Sequence, residues 1–178
     1  FGVCGLVGLG VLRRALDSVF EPELAAQRPA PPPLPEHVDS PLEGTDAAVV
    51  CASGMGAMTA ALLANVHTGD HVVAARVLYG RTSQLLNHLK TAFGVEVTYV
   101  DGNRPEEFGC ARQANTKLAI VETISNPLME VADLPAIVAA CGEVPLLVDS
   151  TFATPCLCRP IEHGAKLVFH SASKYLNG

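Results

Sequence analysis

The stretch Lys166-Leu-Val-Phe-His-Ser-Ala-Ser-Lys-Tyr-Leu-Asn-Gly178 decides how the chain is read. Its apolar run predicts a buried strand over Leu167–His170, after which the chain turns into small hydroxyl residues and one lysine. Open α/β sheets bind ligands in the crevice beyond the carboxyl ends of their strands. Lys174, flanked by Ser171 and Ser173, is placed to point an amine into such a crevice. Two readings stay open at this point. The lysine is solvated, or it forms a Schiff base with a carbonyl group held against it.

Working back along the chain, the same texture repeats as far as Leu42. Strands are predicted at Ala47–Cys51, His71–Ala75, Glu96–Val100, Leu118–Glu122 and Leu146–Asp149, with helices at Met55–Val66, Thr82–Phe93 and Leu134–Cys141. Gly94 closes the second helix. Short apolar strands alternating with helices predict an α/β fold, a mostly parallel sheet with helices on both faces. Residues 1–43 stand apart. A helix is expected at Val11–Phe20, and Pro29-Ala-Pro-Pro-Pro-Leu-Pro35 reads as a polyproline II linker, so this segment is taken as an arm, disordered for the most part.

Composition removes several classes of function. Apolar residues make up 49% of the 178 and charged residues 17%, enough to bury a core and too apolar for wholesale disorder. The net charge of −6, without a basic block, argues against nucleic acid, and the lack of tryptophan argues against base-stacking platforms. No apolar run is long enough to cross a bilayer, so no membrane partner is expected. The six cysteines follow no disulfide spacing and read as reduced thiols of a cytoplasmic protein; Cys156-Leu-Cys158 lacks the second pair that a zinc site needs, and no metal is expected.

Four further places could carry chemistry. In Cys51-Ala-Ser-Gly-Met-Gly-Ala-Met58 a strand passes through small residues into a helix, which aims free backbone N–H groups at the crevice: a phosphate nest, or a tight turn whose glycines serve packing. It is neither a Walker A loop nor a G-x-G-x-x-G fingerprint, which disfavours a dinucleotide-binding Rossmann domain. Asp149 ends a buried strand and needs a partner, such as a protonated ring nitrogen, or else caps the next turn. Asn126, before Pro127, donates to a phenolate-like oxygen or forms an Asx turn. Tyr79, on a glycine-containing loop, stacks on a flat ring or packs half-buried. Taken together, a phosphate nest, an aromatic face, an amide, an acid and a lysine are the set that pyridoxal 5'-phosphate requires.

The sequence resembles the pyridoxal-phosphate enzymes of cysteine and methionine metabolism, which include cystathionine γ-synthase and γ-lyase, methionine γ-lyase and O-acetylhomoserine sulfhydrylase. The resemblance is carried, in collinear order, by Ala52-Ser-Gly-Met55, Gly69-Asp-His-Val-Val73, Leu78-Tyr-Gly80, Glu122-Thr-Ile-Ser-Asn-Pro-Leu128, Val148-Asp-Ser-Thr-Phe-Ala-Thr-Pro155 and Val168–Gly178. It implies the large domain of fold-type I, incomplete here, over residues 44–178, followed in the family by a smaller carboxy-terminal domain absent from this chain. It implies Lys174 as the Schiff-base lysine and Asp149 as partner of the pyridinium nitrogen. Gly54 and Met55 would give backbone N–H groups to the phosphate, with the hydroxyls of Ser171 and Ser173 beside them. Asn126 would bond the ring oxygen, and Tyr79 would stack on the ring and serve in acid/base steps.

The activity implied is γ-elimination or γ-replacement on a sulfur-containing or O-acylated homoserine-type amino acid, in a homo-oligomer that is a dimer of dimers in the full-length family. Two departures are visible. The family's Tyr-x-Arg…Asn-Pro-Thr segment is not found in residues 1–43, where Arg28 lies in the wrong context. Ser173 and Ser150 stand where threonine and asparagine are more usual. The chain therefore reads as a fragment, and the alternative is a non-catalytic remnant or interaction module that keeps the fold.

Overall fold

The computed structural model describes residues 6–7, 42–45 and 47–177. The helix expected at Val11–Phe20 and the polyproline stretch at 29–35 lie outside these residues. Among the described residues the strands are β1 (Leu6–Val7), β2 (Val49–Val50), β3 (His71–Ala75), β4 (Glu96–Val100), β5 (Thr116–Glu122), β6 (Leu146–Asp149) and β7 (Leu167–Phe169). The helices are α1 (Gly54–Asn65), α2 (Gly80–Phe93), α3 (Pro105–Ala111), α4 (Leu134–Cys141) and the single turn α5 (Thr154–Leu157).

Strands β3 to β7 form one sheet in the order β4-β3-β5-β6-β7, every neighbouring pair parallel. Every residue of β3, β6 and β7 is buried, and in β5 only Lys117 is exposed. A strand with no exposed side is covered on both faces, which is why these runs read as continuous apolar blocks rather than alternating ones. Edge strand β4 shows the contrast, opening with exposed Glu96 and burying only Val100 fully. Strand β3 steps outward to β4, whereas the chain returns across β3 to reach β5 and then continues to β6 and β7. With right-handed crossovers this reversal puts α2 on one face and α3 and α4 on the other. Helix α1 accordingly packs on α2, and α3 on α4.

Local signals explain the helix ends. The Ser53 hydroxyl caps α1 by accepting from the Gly56 N–H at 3.0 Å, and the Asp133 carboxylate caps α4 by accepting from the Ala136 N–H at 3.1 Å. Helix α1 buries Ala57, Met58, Ala61, Leu62 and Ala64, one stripe at helical spacing. Gly94 ends α2 at φ 66°, the left-handed conformation that glycine adopts without a Cβ penalty. Buried His71 satisfies both ring nitrogens, 2.8 Å from the hydroxyls of Thr116 and Thr98, and so spans β4, β3 and β5.

Three expectations are revised. The strand expected at Ala47–Cys51 narrows to Val49–Val50 and pairs antiparallel with Leu6–Val7, so the amino-terminal segment contributes a short strand there. Glu43, counted with the arm, is buried with its Oε1 2.5 Å from His170 Nε2, and His170 itself lies just beyond β7. Helix α3 was not expected, because Phe108 is its only buried residue and leaves no apolar stripe. Among the described residues no helix is long and apolar enough to cross a membrane.

Candidate active site

The order reversal separates the loops after β3 and β5, and the carboxyl ends of β3, β5, β6 and β7 surround one cavity of about 670 Å³. Crevices of open α/β sheets lie at such a switch point. Gly54, Met55, Tyr79, Asn126, Asp149, Ser171 and Lys174 all line it. Ser173 does not; its hydroxyl stands 3.4 Å from that of Ser171, one layer out.

The amino end of α1 forms one wall. Gly56 N–H is taken by the Ser53 hydroxyl and Ala57 N–H by the Ser53 carbonyl, but the N–H groups of Gly54 and Met55 have no acceptor among the described residues. They are the free donors that every helix start presents, here turned to the cavity with the helix dipole behind them. Gly54 also lets α1 approach β7. A Cβ there would stand 2.9 Å from Ser171 Oγ, 3.0 Å from Ser171 Cβ and 3.4 Å from Phe169 Cζ. Two free N–H groups beside a serine hydroxyl, approached without a side chain, suit a phosphate group.

The floor is acidic. Glu122 and Asp149 end adjacent strands and are partners in register, 5% and 7% exposed. Burial pushes the Asp149 carboxyl up to about 6, against the opposing pull of hydrogen bonds from Thr151 and the charge of His170. Thr151 N–H donates to Asp149 Oδ1 at 3.0 Å, while the Thr151 hydroxyl accepts from Ser171 N–H at 2.9 Å, so this threonine ties the loop after β6 to the one after β7. Burial pushes Glu122 up to about 7; the Asp149 charge adds to the rise, and backbone N–H groups of Tyr79 and Asn126 oppose it.

The remaining walls carry the other groups. Tyr79 is the residue that precedes α2 and is 43% exposed, and Asn126 follows β5, its bond to Pro127 cis. The Asn126 side chain makes no hydrogen bond to a described residue, which leaves its amide available to the cavity. Lys174 is exposed at the rim, held by its N–H to the Ser171 carbonyl at 3.0 Å. Sequence reasoning missed Thr151, Phe152 and Tyr175. The last two rings meet edge to face at 5.6 Å and close the wall next to Lys174. Their positions just past a strand-end acid and beside the lysine were the signal available.

A parallel α/β sheet with free N–H groups at a helix start, a buried strand-end acid and a lysine in one cavity is the layout of a cofactor-dependent α/β enzyme domain. The family described as Cys/Met metabolism PLP-dependent enzyme matches residues 32–178, and the chain belongs to it. It is 46% identical over 140 residues to an L-methionine gamma-lyase of Porphyromonas gingivalis, covering 77% of this chain and 35% of that protein. Its fold is similar to cystathionine gamma synthase from Xanthomonas oryzae pv. oryzae, solved with aminoacrylate and cysteine, at a TM-score of 0.73 and 36% identity over 77% of this chain and 36% of that one. A Campylobacter jejuni structure containing N'-pyridoxyl-lysine-5'-monophosphate matches with a TM-score of 0.72 at 33% identity, over 76% of this chain and 33% of that one. The chain thus spans about a third of the length of these relatives.

Proposed function

We propose that this chain is the cofactor-binding part of a pyridoxal-phosphate enzyme that performs γ-elimination or γ-replacement on a sulfur-containing or O-acylated homoserine-type amino acid. The observation that carries the reading is the sharing of one cavity by Lys174, buried Asp149 and the free N–H pair of α1. Gly54 and Met55 hold the phosphate by their N–H groups together with the Ser171 hydroxyl, and Ser173 supports Ser171 from behind. Asp149 faces the ring nitrogen and keeps it protonated, which its ionised form does best. Asn126 donates to the ring oxygen, and the Tyr79 ring covers one face of the cofactor.

When bound, the cofactor supplies an electron sink for carbanions next to the substrate amine. Lys174 Nζ would anchor it, and the same amine would move a proton at the substrate Cα. Tyr79 exchanges a proton at the leaving group. The relatives include both a lyase and a synthase by name, so the choice between elimination and replacement is left to whether a second nucleophile reaches the cavity. The whole enzyme is proposed to act as a homo-oligomer in the cytoplasm.

The test is reduction with borohydride after addition of pyridoxal phosphate, followed by peptide mapping. A phosphopyridoxyl group on Lys174, lost in Lys174→Ala, is the expected result. Labelling shared equally with Lys90, Lys117 and Lys166 would refute the site and favour a non-catalytic remnant.

A further inference from the structure

Glu122 has no place in the roles above, yet it is a buried acid that lines the cavity beside Asp149. Its two oxygens are used by two different loops. Oε1 accepts from the backbone N–H of Tyr79 at 2.5 Å, and Oε2 from the backbone N–H of Asn126 at 2.8 Å. One donor lies after β3 and the other after β5, on the two sides of the switch point. Among the described residues no other hydrogen bond joins these loops. Each loop has other ties, but none to the other loop: Arg76 N–H bonds the Val100 carbonyl and Tyr79 takes Thr82 and Ser83 on its own carbonyl, while Thr123 N–H bonds the Asp149 carbonyl and Ser125 pairs with Glu130 in a hairpin.

We propose that Glu122 is a positioning residue, whose carboxylate clasps the backbones of Tyr79 and Asn126 and thereby sets the distance between the aromatic face and the amide that receive the cofactor ring. The inference rests on the functional reading above for what occupies the cavity, but the clasp itself is a property of the chain. Its chemistry explains why a glutamate stands here. A carboxylate offers two acceptors to two N–H donors. A glutamine offers one acceptor and turns its own NH₂ against the second donor, and an aspartate is one methylene too short to span both loops. No lysine or arginine among the described residues forms an ion pair with Glu122. The two N–H groups are therefore what stabilises its charge, in a setting where burial and neighbouring Asp149 oppose that charge. Asp149, its register neighbour on β6, is the charge that acts on it; Tyr79, Lys174 and Tyr175 line the same cavity, and Glu130, from the hairpin after β5, lines a small cleft with it.

Two measurements test the clasp. In the unliganded wild-type chain, the amide proton resonances of Tyr79 and Asn126 should shift together with pH, with one common midpoint near the ionisation of Glu122 at about 7. The common midpoint should move down in Asp149→Asn, where the like charge is gone, and the shared transition should vanish in Glu122→Gln. Separate midpoints, or no transition at either amide, would overturn the proposal without requiring any variant to fold. With pyridoxal phosphate added, Glu122→Gln should bind about ten-fold more weakly and show reduced visible circular dichroism per bound cofactor, because the ring is no longer held at one angle. Dichroism per bound cofactor equal to wild type would reject the role, since a residue serving stability alone changes the folded fraction and not the ring's orientation. Failure of wild type to bind the cofactor would instead refute the functional reading, and the amide titration would then decide on Glu122 by itself.

Discussion

Replacing Asp149 by asparagine should stabilise the unliganded chain at neutral pH while weakening cofactor binding. In the fold the Asp149 carboxyl holds its proton up to about pH 6, against an ordinary value of 3.8, because burial penalises the charge more than Thr151 and His170 favour it. A carboxyl whose folded value is raised contributes its stability fully below the unfolded value, and that contribution is lost as pH rises through the folded one. At roughly 1.4 kcal/mol for each pH unit of displacement, ionised Asp149 costs the fold about 3 kcal/mol once the pH is well above 6. Asparagine keeps an oxygen for the Thr151 N–H and carries no charge, so it escapes the penalty. It also relieves Glu122, whose rise includes repulsion from Asp149, and this acts in the same direction. Urea unfolding of wild type and Asp149→Asn, measured from about pH 4 to about pH 8, should give curves that lie close in acid and separate by about 3 kcal/mol in favour of the variant above pH 6. A gap that is independent of pH, or that favours wild type as pH rises, would refute the reasoning.

Gly54→Ala should cost about 1–2 kcal/mol in urea unfolding, since its new Cβ meets Ser171 Cβ at 3.0 Å and α1 or the end of β7 must shift. Adding Ser171→Gly removes both near contacts and should recover most of that loss. His71 should titrate below 6.5 by NMR because burial disfavours its charged form, so it contributes stability that is present above 6.5 and lost in acid; a ring that titrates at or above 6.5 would contradict its reading as a neutral bridge between Thr98 and Thr116.

How far the sequence could be read follows from which interactions leave a local trace. Strands His71–Ala75 and Leu146–Asp149 and helix Leu134–Cys141 fall where the apolar runs and flanking caps predict, because a strand buried on both faces or a helix with one buried stripe writes that burial into its own residues, and the half-buried edge strand Glu96–Val100 still carries enough β-branched and aromatic residues to be read. Helix α3 buries only Phe108 and wrote no stripe, although Pro105 followed by Glu106 and Glu107 was a start signal in plain view. The residues read as cofactor contacts are side chains or glycines at strand ends, visible one by one. Glu122 was visible as a residue but not as a clasp, since its partners are backbone N–H groups, one of them 43 positions away. The Glu43–His170 contact spans 127 positions and was equally silent. Pairing of that kind belongs to topology, and only the sheet order brings it together.

The sheet order also explains why two acids stand side by side where one would be cheaper. Parallel register places the last residues of β5 and β6 against each other, so Glu122 and Asp149 cannot be separated without shifting a strand. The fold tolerates the arrangement because each acid has separate work for its oxygens: Glu122 holds two loops together, and Asp149 is anchored by Thr151 with its remaining oxygen turned to the cavity. Burial strain of this kind concentrates at functional sites, where stability is given up for preorganisation. A cationic ring resting on Asp149 would lower the cost of its charge and, through it, that of Glu122. Cofactor binding should then tighten the clasp on Tyr79 and Asn126 as well as fill the space between them. This coupling predicts that the common midpoint of the two amides falls below about 7 when pyridoxal phosphate is present. An unchanged midpoint in a chain that has bound the cofactor would show that Asp149 and Glu122 act independently.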